Sequence, residues 1–198
     1  AFLHRLCWPS KPKLKGMKYE NYLKIAMEKE DTLETCLRHL DMEDARMVND
    51  ALPDYAFSGS YIKDYKLPKT LKKIGKNAFK GCSNIESIDA PNVEIVGDEA
   101  FARCEKLATL ALPNIKNVGV DAFQGCEQLK EIALGKSLTT ISGNSFKNCK
   151  SLTTISIEDG GGYKALQNAI ISPNKTLVYI AGQAKEIKLT ADECTAIG

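Results

Sequence analysis

Seven cysteines give this 198-residue chain its most obvious capacity for chemistry. Thiolates bind zinc, and pairs of thiols form disulfides. Zinc sites use closely spaced Cys pairs with Cys or His partners, whereas four of these cysteines recur every 22 or 23 residues: Cys82, Cys104, Cys126 and Cys149. We expect no metal site. We interpret the four as a ladder of small buried thiols, with disulfides between neighbours as the alternative. The others show no pairing pattern: Cys7, Cys36 and Cys194.

Two glycine-containing stretches resemble nucleotide-binding loops. Residues 160–165, GGGYKA, match G-x-G-x-x-A, a loop that needs a strand before it, a helix after it and an acidic residue about 20 positions on. The sequence that follows favours a turn and a hairpin instead. Residues 135–137, GKS, end like a phosphate-binding loop, but Lys130 stands where that loop requires glycine. We therefore expect no cofactor.

Motifs of hydrolytic enzymes are missing from the sequence. There is no G-x-S-x-G and no H-E-x-x-H, and the two histidines are His4 and His39. Without a nucleophile, base or metal set in a usable pattern, we predict that the chain is not an enzyme. Residues 174–176, NKT, form a glycosylation sequon if the protein is eukaryotic and secreted; otherwise they are simply a turn.

The charge distribution argues against a nucleic-acid partner, and the apolar pattern argues against a membrane-spanning segment. The net charge is +2, but residues 1–18 hold five basic residues and no acid, so the rest has 22 basic against 25 acidic residues. Proteins that bind nucleic acid carry a stronger basic field on their folded part, so we expect no nucleic-acid partner. No apolar run approaches the roughly 20 residues that a membrane-spanning helix needs, and we expect no transmembrane segment.

The periodic cysteines belong to a longer repeat. Five phenylalanines lie 22 or 23 residues apart, each preceded by a small residue: Phe57, Phe79, Phe101, Phe123 and Phe146. Three positions later comes Ser60 or one of the four cysteines, and then an apolar cluster such as Leu107, Leu110 and Leu112. Recurrence of this kind indicates architecture rather than a catalytic site.

Each repeat predicts one strand and one turn. The stretch IESIDAP, residues 85–91, alternates apolar and polar residues as a half-buried strand does. Pro68, Pro91 and Pro113 close three such strands, because proline cannot donate to a ladder. The Ala-Phe-x-x-Cys segment fits one turn or a short helix. Because so small a unit cannot bury its own apolar face, identical units must stack into a solenoid with a continuous core.

The units LPKTLKKIGKNAFKGCSNIESI and LPNIKNVGVDAFQGCEQLKEI resemble the BspA-like (Treponema-type) leucine-rich repeat family. That family is known mainly from bacterial surface and secreted proteins, with relatives in some protists. The resemblance implies an α/β repeat solenoid, a right-handed leucine-rich-repeat coil with short strands and short helical turns. It also implies an N-terminal cap that contains a helix.

We predict three regions. Residues 1–46 form the cap and a leading repeat-like unit, with a strand near Leu14, a helix over about 18–29, and strand positions at Leu37, Leu40 and Met42. Residues 47–157 form the repeats. Residues 158–198 form a hairpin-like insertion, with turn chemistry at Pro173-Asn174-Lys175, and the start of a further repeat.

Residues between the apolar strand positions point outward and form the candidate partner-binding face. The twelve are His39, Asp41, Asp64, Lys66, Ser87, Asp89, Thr109, Ala111, Glu131, Ala133, Thr154 and Ser156. Charges stand in the first repeats and small side chains in later ones, with Tyr61 and Tyr65 as exposed aromatics nearby. The alternative is a face that is simply solvated.

The function implied by the resemblance is a non-catalytic module for binding and adhesion, with a protein or an extracellular-matrix or glycan partner. Alternatives are an intracellular interaction scaffold, or the repeat part of a longer enzyme. We expect a monomer located at the cell surface or secreted. The missing initial Met is compatible with a removed export signal. A cytoplasmic location is the alternative, because free cysteines suit a reducing compartment.

Overall fold

The computed structural model describes residues 39–45, 47–166, 169–181, 188, 190 and 192–197. Within them the chain winds into a β-solenoid of about five turns. The predicted N-terminal cap, with its strand near Leu14 and its helix over about 18–29, lies outside the described residues, as does Leu37. No helix in the described part is long and apolar enough to cross a membrane.

One side of each coil is a strand whose outward surface we call the strand face. Its parallel strands fall in two groups: β1 (His39–Asp41) with β3 (Asp64–Lys66), and β6 (Thr109–Leu112) with β8 (Glu131–Leu134) and β10 (Thr154–Ile157). The register is constant, so that Leu110 lies beside Ile132 and Ile132 beside Ile155. These inward residues are buried, and their neighbours in sequence face outward.

A second parallel sheet follows in each coil. It consists of two-residue strands: β2 (Ala51–Leu52), β4 (Lys73–Ile74), β5 (Ile95–Val96), β7 (Asn117–Val118) and β9 (Thr140–Ile141). In each of these strands the second residue is buried and the first is more exposed. Together the two sheets place two apolar walls around one core.

The Ala-Phe-x-x-Cys segments form the third part of each coil, which we call the turn side. The predicted short helical turns are wrong: the described coils hold no α-helix, only a 3-10 helix at Val48–Asp50. Phe79 N–H bonds Ala100 O of the next coil at 2.8 Å, while Cys82 N–H bonds Phe79 O at 3.0 Å. Some backbone N–H groups of this segment thus bond a carbonyl of the neighbouring coil, and others bond a carbonyl of their own coil. Residues with positive φ, such as Asn77 and Gly81, prevent a helix from continuing.

The phenylalanines stack into a continuous ladder inside the solenoid. Ring centroids of successive residues lie 5.4, 5.1, 5.6 and 5.4 Å apart from Phe57 to Phe146. All five rings are almost completely buried. Offset stacking at this separation is favourable, and each buried ring contributes about 1.5–3 kcal/mol relative to an exposed one. The ladder therefore supplies the centre of the hydrophobic core.

A terminal hairpin follows the last complete coil. Its strands β11 (Lys164–Leu166), β12 (Ala169–Ile171) and β13 (Thr176–Ile180) are antiparallel, and β14 (Ala196–Ile197) runs parallel to β13. A tight turn joins β12 to β13, with Lys175 N–H bonding Ser172 O at 2.9 Å. Tyr179 packs its ring on Phe146 at 5.2 Å. The hairpin thus covers the last rung of the ladder.

Candidate functional site

The strand face brings eleven of the twelve candidate residues into two columns with described side chains. One column runs Asp64, Ser87, Thr109, Glu131, Thr154; the other runs Asp41, Lys66, Asp89, Ala111, Ala133, Ser156. His39 is paired with Asp64 in the backbone register, and its side chain lies outside the description. Nine of the eleven are exposed, while Asp64 and Ala133 are half-buried. Register alone thus assembles the surface from residues far apart in sequence.

The ladder of the strand face is interrupted at the third coil. Residues 85–91 were expected to form a strand, and their burial alternates as predicted. Their ladder pairing is reduced to an isolated bridge between Asp89 and Lys66. On the other side no strand pairing joins this segment to β6 among the described residues, and Ala108 N–H bonding Glu86 O at 3.0 Å connects the coils just before it.

A proline removes one hydrogen bond at the end of this gap. In the next coils, Gly135 N–H bonds Leu112 O at 3.1 Å and Glu158 N–H bonds Leu134 O at 2.9 Å. Pro113 occupies the equivalent place in the fourth coil, beside Ala90, and has no N–H to donate. Gly135 is itself required, because a Cβ there would lie 1.7 Å from Pro113 O. Pro113 therefore cannot donate a hydrogen bond to Ala90 O. Pro68 holds the same place after β3, where the pairing with β1 is complete, so the proline alone does not open the gap.

A cavity of about 300 Å³ lies at this gap. Small and hydroxyl side chains form half of its wall, and it opens to solvent. It is lined by Ser87, Ile88, Asp89, Thr109, Leu110, Ala111, Glu131 and Ala133. Six of these eight belong to the face predicted from the sequence. The volume is at the lower end of the range for ligand pockets, about 300–1,000 Å³.

The electrostatics of the strand face change along the stack. In the first coils Lys66 Nζ bonds Asp41 Oδ2 at 2.9 Å, and this hydrogen bond raises the pKa of Lys66. Among the described residues, Asp89 and Glu131 form no salt bridge, although seven other carboxylates do. The cavity is therefore flanked by two carboxylates, and neither forms a salt bridge with a described lysine.

Of the two aromatic residues expected at this surface, Tyr61 is 59% exposed. The prediction for Tyr65 was wrong, because it is only 4% exposed and occupies an inward strand position. Its ring lies 5.0 Å from Phe57 and 5.0 Å from Phe79, so it joins the phenylalanine ladder. Burial raises the pKa of its hydroxyl. The spacing of Tyr65 from Ile62 and Leu67 was a signal that could have identified it as a core residue.

The periodic cysteines are buried free thiols that form a second ladder. Each donates from Sγ to the carbonyl of the phenylalanine in the preceding coil: Cys82 to Phe57 at 3.0 Å, Cys104 to Phe79 at 3.2 Å, Cys126 to Phe101 at 3.1 Å and Cys149 to Phe123 at 3.1 Å. Burial raises the pKa of Cys82 and Cys149 to about 12. The thiols are therefore protonated donors and poor nucleophiles.

The glycine-rich stretch at residues 160–165 does not form a dinucleotide loop. A Cβ on Gly161 would lie 2.1 Å from Lys136 O, so this backbone packs against the preceding coil. The segment after it begins strand β11 rather than a helix. The stretch at residues 135–137 likewise follows β8 as a turn, without the helix that would bind phosphate.

Comparison with known proteins decides the family. A sequence model described as the BspA type leucine-rich repeat region matches residues 50–177, in six copies. The chain belongs to the BspA-type leucine-rich repeat family. No curated protein matches the sequence. The matched residues include all of the phenylalanine and cysteine ladders and most of the strand face.

Three solved structures with this fold come from bacteria. A leucine-rich cell surface protein of Faecalibacterium prausnitzii is 28% identical with a TM-score of 0.55, covering 62% of this chain and 32% of that one. A leucine-rich repeat protein of Bacteroides ovatus is also 28% identical, with a TM-score of 0.55 and coverage of 74% and 40%. The pneumococcal vaccine antigen PcpA shares the fold at 22% identity, with a TM-score of 0.58 and coverage of 75% and 39%.

The chain therefore spans between 32% and 40% of the length of these three structures. The family and its solenoid fold support a protein-binding repeat module. No catalytic family is found among the matches.

Proposed function

We propose that this BspA-type chain is a non-catalytic binding module of a surface or secreted protein, and that it docks an adhesion partner on the strand face. The observation that carries the proposal is the position of the cavity, whose wall is built mainly from outward strand residues. The turn side, in contrast, repeats buried Phe, Ala and Cys from coil to coil, so it offers a partner few residues that are specific to one coil. A partner can distinguish this chain only where residues differ between coils.

The surface location is supported by the resemblance to a bacterial cell surface protein. One observation favours the second candidate, an intracellular interaction scaffold. The five described cysteines form no disulfide, and four of them are buried thiols that donate hydrogen bonds in their reduced form. Such thiols suit a reducing compartment. Binding on the strand face is common to both candidates, so the face can be tested without deciding the location.

The test is a binding assay on the full chain against purified extracellular-matrix proteins and immobilised glycans. Ala111→Arg with Ala133→Arg adds bulk to the middle of the strand face, and the pair should weaken binding at least about tenfold. Val120→Arg with Glu105→Arg is the control pair, since both residues are exposed and lie next to the Ala-Phe-x-x-Cys segments of the turn side, away from the strand face. Equal loss with both pairs, or with the control pair alone, would contradict the proposed face.

A further inference from the structure

The charge around the cavity indicates what kind of partner fits it. Most carboxylates that form salt bridges in the described chain bind a lysine of an adjacent coil, for example Glu127 with Lys150 at 2.6 Å. Asp89 and Glu131 form no salt bridge among the described residues, and both are exposed beside the cavity. Among the outward residues of the strand face, Lys66 is the single lysine, and it is already bonded to Asp41. The cavity rim is therefore acidic. Lys69, which forms its salt bridge with Glu43, also interacts electrostatically with Asp89 but forms no salt bridge with it.

The positions of the two carboxylates match an elongated cation rather than a point charge. Asp89 and Glu131 stand in different columns and two coils apart. Neighbouring strands lie about 4.8 Å apart, so the two residues are separated by roughly 10 Å along the stack. Between them lie Thr109 and Ala111, whose short side chains leave the backbone accessible.

The gap in the ladder adds a second feature. Among the described residues, residues 87–89 are not paired with β6, and Pro113 has no N–H to donate to Ala90 O beside them. Backbone carbonyls next to such a gap are acceptors for an N–H donor of a ligand. A guanidinium has five N–H donors and no acceptor, and it can bond carboxylates and carbonyls together.

We propose that the cavity at the ladder gap binds an extended basic segment of a protein partner, with an arginine side chain placed between Asp89 and Glu131. The proposal rests on the proposed function, since it names the partner chemistry of the same face. Charge complementarity selects the occupant: an acidic glycan or an acidic peptide would meet two like charges. Short side chains at Thr109, Ala111 and Ala133 allow an extended backbone to lie close to the strands.

The probe is a fluorescent peptide of about ten residues, with arginines spaced by glycine and serine. Two counterparts replace each arginine by glutamine or by glutamate. Anisotropy titrations use the full chain at ionic strengths of about 0.05 M and about 0.5 M. The arginine peptide should bind with a Kd below about 1 mM, bind at least tenfold tighter than the glutamine peptide, and weaken at the higher salt.

Two double variants identify the carboxylates. Asp89→Asn with Glu131→Gln should raise the Kd for the arginine peptide by about tenfold. Glu105→Gln with Asp159→Asn removes the same charge from exposed residues outside the cavity and should leave it within about twofold. Equal loss with both pairs would mean that net charge alone attracts the peptide, and the proposal would be wrong. No binding by the arginine peptide would overturn it as well.

Failure here is distinguishable from failure of the proposed function. If the glutamine or glutamate peptide binds as tightly as the arginine peptide, basic selectivity is wrong. If Ala111→Arg with Ala133→Arg still abolishes that binding, the strand face is nevertheless the docking site. If that pair leaves the binding of every peptide and matrix protein unchanged, both proposals fail together.

Discussion

At the residue scale, the four periodic cysteines act as hydrogen-bond donors rather than as nucleophiles or disulfide partners. Each thiol supplies a second hydrogen bond to a phenylalanine carbonyl that also accepts the amide of its own turn, as Phe101 O does from Cys104 N and Cys126 Sγ. The sequence indicated burial and the absence of paired spacing. The donor role required the register of adjacent coils, which spacing alone does not give.

The thiol ladder predicts a loss of stability in alkali. Burial holds the folded pKa of Cys104 well above 9.0, whereas unfolded thiols ionise near that value. The free energy of unfolding should therefore fall as pH rises above about 9, by about 1.4 kcal/mol per pH unit for each thiol. Urea denaturation between about pH 8 and about pH 11 measures the slope, because in roughly this window the thiols are protonated in the folded protein and ionise in the unfolded one.

Cys104→Ala is the matched variant for that experiment. It removes one buried thiol from the centre of the ladder, so the slope above pH 9 should be shallower by about 1.4 kcal/mol per pH unit. Its stability near neutral pH should be lower by about 1–2 kcal/mol, because the Sγ bond to Phe79 O and some packing are lost. Parallel pH profiles for the two proteins would show that the thiol is not the titrating group.

At the element scale, the strands were predictable and the connections between them less so. Alternation in residues 85–91 predicted which side chains are buried, and the structure agrees. The missing ladder between residues 85–91 and β6 could not be predicted from alternation, because alternation does not show how adjacent coils pair. The helical turns failed for a local reason: residues such as Asn77 and Arg103 adopt positive φ, which ends a helix.

The terminal hairpin continues both ladders with one residue. Tyr179 places its ring against Phe146 and donates from its hydroxyl to Phe146 O at 3.4 Å, where a further coil would supply a phenylalanine and a cysteine. Burial raises the pKa of this hydroxyl to about 12. Nothing in the repeat pattern identifies Tyr179, because it lies outside the 22-residue period.

Removing this ring should destabilise the end of the stack. Tyr179→Ala should cost about 2–4 kcal/mol in the free energy of unfolding, while Tyr179→Phe keeps the ring and should cost about 1 kcal/mol or less. Hydrogen exchange should show the larger effect in β9, β10 and the hairpin than in β3. Equal effects of the two substitutions would mean that the ring does not cover the core.

At the scale of the whole molecule, one side of each coil stabilises the fold and the other presents the residues that vary. The turn side and the second sheet bury the ladders and join coils by ion pairs such as Lys116 with Glu94, which lowers the pKa of Glu94. The strand face holds the residues that differ between coils. Repeat recognition was sufficient to predict the solenoid and the members of this face. The cavity could not be predicted, because it lies where two neighbouring coils do not pair, and the repeat pattern does not show that interruption.

The central claim is that a partner docks on the strand face, and site-specific photo-crosslinking tests it most directly. A photo-reactive residue is placed at Ala111, or at Val120 next to the turn side, both of which are exposed. Each protein is irradiated with the matrix protein that binds the unmodified chain most tightly. We expect cross-linking from position 111, competed by the arginine peptide, and little from position 120. A yield from position 120 that equals or exceeds the yield from position 111 would contradict the account.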